Sequence, residues 1–408
     1  MIRRTTLAVL GLLLLFPAPA ASIQEDRSVR VIIDDLEFPT GIAFSSSGDM
    51  FVNERPGRIR VVRDGELLAS PLATIPTTTD GETGLLGIAI PPDEDADPYI
   101  YVFVTDPGGA TNSVQRVSLE GGEPEVVVRD LPASVYHNGG GLDFDSAGSL
   151  YVSNGEQHSG DRAQDPNALG GKVYRFEPDG SIPSSNPFGT PANATFALGL
   201  RNPYGLAIDP VTDVPFVTEN GPSSDDEINR IVPAGNYGWP EVQGTGEVEE
   251  QSFEGEYQAP LLNYPDIIVP TGIAIAGIDD ASGEVAGDLF FGTYGEGTIH
   301  KVRLDDRRRA AVSDDVFLDV GEPVIAVAWG PGGLYFSTID DVRFVPLADR
   351  SGGQQPSEPP DDIQSAGSED QDDPTLTIVL VTLLTSVVVV TLISLFRSRR
   401  SGSRPPSP

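Results

Sequence analysis

"GLDFDSAGSLYVSNG", residues 141–155, decides the fold. It reads as a small residue, a short alternating strand, a tight turn of Asp, Ser, Ala and Gly, and a second strand with an aromatic residue. The same pattern occurs five more times: "GIAFSSSGDMFVNE" (41–54), "GIAIPPDEDADPYIYVFVT" (87–105), "GLAIDPVTDVPFVTEN" (205–220), "GIAIAGIDDASGEVAGDLFFGTYG" (272–295) and "AVAWGPGGLYFST" (326–338). A further strand-like segment follows each, such as "KVYRFEPDG" and "TIHKVRLDD". Period-2 segments recurring at this spacing are the signature of radially arranged four-stranded sheets. The expectation is an all-β chain, a six-bladed β-propeller. No helical periodicity competes with it, and a two-domain β-sandwich gives no reason for six similar segments.

The ends read differently. Residues 1–21 have a basic start, an apolar run from Leu7 to Phe16 and an Ala18-Pro19-Ala20 cleavage site, and read as a signal peptide. The propeller is expected over 22–349, followed by a disordered acidic stalk over 350–374, where Ser, Gly, Pro and acid leave little to bury. Residues 375–396 carry no charge for 22 residues, about 33 Å as a helix. They read as a transmembrane helix, with the basic tail 397–408 in the cytoplasm and the body outside the cell. The competing reading makes span and tail a sorting signal processed after export.

Composition narrows the function. Sixty-one acidic against 26 basic residues give a net charge of -35, which repels phosphate backbones and argues against nucleic acid as a partner. There is no cysteine, so a metal must be held by oxygen or imidazole.

The chemistry concentrates at strand junctions. His137, before Asn138 and the glycines 139–141, is either a general base or a turn histidine bonded to nearby backbone. Arg201 and Asn202 hold the equivalent place one repeat later, where a cation either stabilises charge on a ligand oxygen or pairs with a carboxylate. The loop "TENGPSSDDEINRI" (218–231) gathers Glu219, Asp225, Asp226, Glu227 and a Gly221-Pro222 turn, an oxygen-rich set suited to calcium without the spacing of an EF-hand, or simply an acidic loop in an acidic protein. His158, in a polar loop, and His300, in a strand, read as surface residues, and Asn193 opens a glycosylation sequon.

Five motifs in order, "GETGLLGIAI", "HNGGGLDFD", "LGGKVYRFEPDGSIPSSNPF", "GLRNPYGLAID" and "DDEINRIVPAGNYGWP", resemble the glucose/sorbosone dehydrogenase family, the soluble-type aldose dehydrogenases that use pyrroloquinoline quinone (PQQ). The resemblance spans about residues 30–348. It implies a six-bladed propeller that oxidises an aldose at C1 to the lactone and passes electrons to an external acceptor. His137 is then the base, Arg201 and Asn202 lie against the quinone oxygens, and Glu82 is a further cofactor contact. The carbonyls of Gly221 and Pro222 hold a calcium ion at the quinone, and Asp226 and Glu227, near Tyr237, hold a second, structural one. Two departures stand out. Gly295 and Glu296 occupy the place of a family lysine, and Pro323 and Ile325 the places of two arginines, positions whose cations meet the cofactor's carboxylates. The alternative is a non-catalytic, calcium-stabilised propeller that binds carbohydrate or protein at the cell surface.

Overall fold

A computed structural model describes residues 28–189, 193–246, 256–278 and 285–347. The opening stretch folds as its pattern predicts locally. Leu142–Phe144 pairs antiparallel with Leu150–Asn154, Phe144 opposite Leu150. Between them Asp145 Oδ1 accepts the backbone N–H groups of Ala147 and Ser149, and Gly148 takes a φ of 85°. A side-chain carboxylate closing a turn over a left-handed glycine makes Asp and Gly the economical choice there.

Among the described residues the strands form six sheets, whose innermost strands start at Pro39, Leu85, Leu142, Pro203, Pro270 and Val327. Each inner strand packs against the next, and the last returns to the first, so the sheets close a ring around a narrow channel. The small residue that opens each repeat has a cause in this crossing. A Cβ on Gly87 would stand 2.1 Å from Gly140 O, one on Gly141 2.6 Å from Leu206 N, and one on Gly205 2.5 Å from Thr271 O. Neighbouring inner strands approach too closely for a side chain, so the repeat carries glycine. Packing between sheets is apolar. Phe51, Ile59, Leu85, Ile88 and Val102 form one such interface, each side chain worth about 1.5–3 kcal/mol on burial.

The closing sheet takes strands from both ends of the chain. Arg30–Ile33 pairs with Val342–Pro346, and Ser337 Oγ donates to Pro39 O at 2.8 Å.

The expected fold class needs correction in two respects. The sheets are not equal four-stranded blades. Ala73–Thr74 adds a fifth strand to the first sheet by pairing with its third strand. The third sheet has six strands, because Gly235–Asn236 and Glu256–Tyr257, which come after the third strand of the fourth sheet in sequence, add to its edge in parallel. Nor do the described residues include a transmembrane helix. No helix among the described residues is long and apolar enough to cross a membrane; the one α-helix among them is Gly160–Gln164. The proposed signal peptide, stalk, membrane span and tail lie outside the described residues. The membrane anchor, the membrane partner and the single-pass placement that rested on the span have no support among the described residues.

Two surface assignments also change. His300 is buried, bonded through Nδ1 to Asp314 at 2.9 Å and stacked on Phe291. Asn193 Nδ2 donates to Pro166 O while its Oδ1 accepts the Thr195 N–H, so the sequon's amide is committed within the fold.

Candidate active site

His137 lies in the link between the second and third sheets with a φ of 60°, a conformation that costs most side chains energy and that surrounding contacts must hold. They do. Its N–H donates to Glu82 Oε2 at 2.7 Å, and the Nε2 amide of Gln157 donates to its carbonyl at 3.0 Å. Next to it, Asn202 Oδ1 accepts the Gly139 N–H at 3.1 Å and Asn202 Nδ2 reaches Glu82 at 3.5 Å. Glu82, His137 and Asn202, far apart in sequence, are thus one hydrogen-bonded unit.

The imidazole is buried, and Nδ1 lies 2.7 Å from Glu156 Oε1. Burial drives the His137 pKa down to about 4, with Arg201 pushing the same way and the Glu156 hydrogen bond pulling against both. Glu156 behaves oppositely. Burial alone would raise its pKa, but the bond to His137 and the nearby cation hold it below the usual value, so it is a carboxylate. A carboxylate only accepts, so Nδ1 carries the proton and Nε2 keeps its lone pair.

Arg201 sits beside this unit. Its backbone N–H donates to Glu219 Oε1, and Nη1 donates to the carbonyls of Asn220 and Gly221 at 2.8 and 3.0 Å. Its guanidinium also lies 5.5 Å from the Trp239 ring centre, within the range of cation–π attraction. The Gly221 carbonyl, a candidate calcium ligand, is therefore in contact with Arg201.

The other candidate ligands divide. Gly221, Pro222, Glu227 and Tyr237 line one narrow cleft with Arg201, Glu219 and Asp225. Glu227 is buried; its Oε1 accepts the Gly244 N–H, and its Oε2 shares the Asn229 amide with Glu219 Oε2. Burial raises the Glu227 pKa to about 7 and that of Glu219 well above the ordinary value, with Glu227 adding to the rise in Glu219. Two buried acids sharing one amide are where a divalent cation would relieve the most repulsion. Asp226 stands apart. Its Oδ1 accepts the Gly221 N–H and its Oδ2 the N–H groups of Ile268 and Val269, so it ties two loops together. The Tyr237 hydroxyl donates to Arg230 O and accepts the Val232 N–H.

Sequence reasoning passed over two residues at this site and read a third, His158, only as a surface residue. Glu156, the partner of His137, carries no motif of its own. Arg55, in "NERPGR", donates to Gly81 O at 2.9 Å, and burial lowers its pKa while the Tyr204 and Tyr294 phenols across the ring pull it up. His158 is exposed, yet its ring centre is 4.0 Å from that of His137.

A family model described as Glucose / Sorbosone dehydrogenase matches residues 36–344. Aldose sugar dehydrogenase YliI of Escherichia coli (strain K12) is 29% identical over 340 residues, 77% of this chain and 90% of the relative. Among solved structures, an oxidoreductase described as a glucose dehydrogenase from Thermus thermophilus superposes with a TM-score of 0.70 at 35% identity, over 78% of this chain and 99% of that one. The PQQ-bound form of aldose sugar dehydrogenase from Streptomyces coelicolor does so at 0.66 and 30%, over 78% and 97%. With three quarters of its length matched by one family model, this chain belongs to the glucose/sorbosone dehydrogenase family.

Proposed function

We propose that this chain is an aldose dehydrogenase that oxidises the C1 hydroxyl of a sugar to the lactone, with His137 as the general base and PQQ as cofactor. The residues present fit that cofactor. Glu156 Oε2 and Asn220 Oδ1 are buried without a protein partner among the described residues, and such atoms call for a ligand or water. Arg201 and Arg55 supply two cations at the mouth, and glycines 139–141 keep the adjoining backbone bare. Glu82, Arg201 and Asn202 would hold the quinone, and the carbonyls of Gly221 and Pro222 a calcium ion beside it, with Glu227 and Tyr237 at a second, structural calcium. When bound, the quinone supplies the acceptor for the hydride leaving C1.

The observation that carries the reading is the buried, neutral imidazole whose Nδ1 is bonded to a carboxylate. His137 Nε2 takes the proton of the C1 hydroxyl as the C–H bond breaks. Glu156 fixes the tautomer and favours the imidazolium that forms. Arg201 opposes any second positive charge beside it and so keeps the resting base neutral. Glu82 and Asn202 hold the backbone that aims the ring.

The experiment adds PQQ and calcium to the purified protein and follows sugar-dependent dye reduction. Turnover with a spectral change in the quinone supports the reading. Neither change, over a panel of aldoses, returns the chain to the non-catalytic alternative, which the residues at 295, 296, 323 and 325 favour because none of them is a cation.

A further inference from the structure

We propose that His137, Glu156 and His158 form a binding site for a divalent transition-metal ion of the zinc class, and that occupation of this site switches off His137 as a base. Each of the three offers one ligand atom, and these atoms lie within 4.8 Å of one another. Four-coordinate zinc with bonds near 2.0–2.1 Å needs ligand atoms about 3.3 Å apart, so a modest closure completes the set. His158 is the residue free to close, being the exposed member of the three.

The second observation is Glu156. Its side chain is 2% exposed, Oε1 is bonded to His137, and Oε2 is buried with no protein partner among the described residues. A buried carboxylate oxygen without a donor is costly and is the usual mark of a missing water or ion.

Local backbone points the same way. Gln157 and His158 are successive non-glycine residues with φ of 51° and 60°, and this turn folds the His158 ring over His137 at an interplanar angle of 41°. Gln157 anchors the turn through its bond to the His137 carbonyl. Without an ion, two imidazoles in contact at a cationic Arg201 gain little from one another, whereas a metal between them uses both lone pairs.

The donor set selects the metal. Two imidazoles and one carboxylate, with a position open to solvent or to a sugar hydroxyl, suit Zn²⁺, Cu²⁺ or Ni²⁺. Calcium, which asks for six to eight oxygens, belongs with the oxygen-lined cleft at Gly221 and Glu227 instead. The site therefore separates two classes of cation within one active-site mouth. A metal held jointly with Glu156 takes the Nδ1 position and leaves the ring proton on Nε2, so His137 has no lone pair left to accept the substrate proton. That silencing rests on the proposed function; the metal site itself does not.

The test uses full-length protein in excess calcium, which fills the carboxylate sites. Co²⁺ serves as the spectroscopic probe and Zn²⁺ as its competitor. The expected result is a visible ligand-field spectrum, abolished by Zn²⁺, with affinity falling at least tenfold in His158→Ala and in His158→Asn. Saturating Zn²⁺ is expected to lower dye reduction by more than tenfold in the wild type, reversibly on adding a chelator that spares calcium. Absence of the spectrum, or one unchanged in both His158 variants, overturns the site and reduces the binding to surface carboxylates. Bound Zn²⁺ with unchanged turnover overturns the switch. Metal binding as described in a protein that turns over no sugar upholds the site while removing the proposed function.

Discussion

His137 Nδ1 and Glu156 Oε1 stand 2.7 Å apart, on two segments that meet only because the link into the third sheet runs beside the end of that sheet's second strand. Substituting His137 by Asn keeps a side chain that tolerates the left-handed backbone and removes the base. Sugar-dependent dye reduction is expected to fall by about 10²–10⁴, with thermal unfolding little changed. Glu156→Gln, which cannot favour an imidazolium, is expected to lower kcat in the same assay while leaving quinone binding measurable. Wild-type turnover in His137→Asn rejects the base assignment.

The pH profile follows from the same burial. With the His137 pKa lowered to about 4, kcat/KM is expected to rise through pH 4 and to be level near 6.5, where an ordinary imidazole would still be titrating. Stability obeys the corresponding sign. Between about pH 4 and 6.5 the unfolded chain binds a proton at this residue that the folded one does not. The contribution is present above 6.5 and is lost as pH falls toward 4, about 3 kcal/mol in full. Denaturant midpoints of wild type and His137→Asn are expected to agree above pH 6.5 and to diverge as pH falls toward 4, where only the wild type loses this contribution.

Calcium is expected to raise the melting temperature, by about 2.7 kcal/mol of stability at a concentration 100 times its dissociation constant. Chelation reverses this. In Glu227→Gln the calcium-dependent shift is expected to disappear, because the cleft loses one of its two buried acids while Gly244 and Asn229 retain an acceptor and a neighbour. An undiminished shift in that variant places the stabilising ion elsewhere.

Gly141→Ala sets the new methyl 2.6 Å from Leu206 N and 2.9 Å from Tyr204 O, backbone atoms of the next inner strand. A loss of about 1–3 kcal/mol is expected, read from urea midpoints. Gly148→Ala meets no atom within 4 Å and suffers only from its φ of 85°, so its cost is expected near 1 kcal/mol. Equal losses would refute steric crowding as the reason for the repeat's glycine.

What was legible in the sequence, and what was not, follows from the range of the interactions. The inner strands were readable because each repeats the same local demand: a bare residue at a crossing, alternation along a strand, and an Asx turn such as Asp145 to Gly148. The added strands were not, since Gly235–Asn236 pairs in parallel with a segment that precedes it by 37 or more residues, and no local pattern records such a neighbour. At the site, His137, Arg201, Asn202 and Glu82 were found through motifs and do meet. Glu156 and Arg55 escaped because their roles arise from what packs against them. Asp226 was legible as an acid in its loop, but not its hold on three backbone N–H groups from two loops, which only the fold brings to it.

The closing sheet, with Arg30–Ile33 laid against Val342–Pro346, imposes an order of assembly. During synthesis the first strand to emerge has no partner until the last has left the ribosome. The segments bearing His137, Glu156 and Arg201 are complete well before then, but Arg55 comes near Tyr204 and Tyr294 only once the first sheet is drawn round to face the fourth and fifth across the mouth. Contacts spanning some 300 residues also make closure a slow step. A chain shortened from its C-terminal side thus leaves its first strand unpaired and the ring around the acid–base pair open.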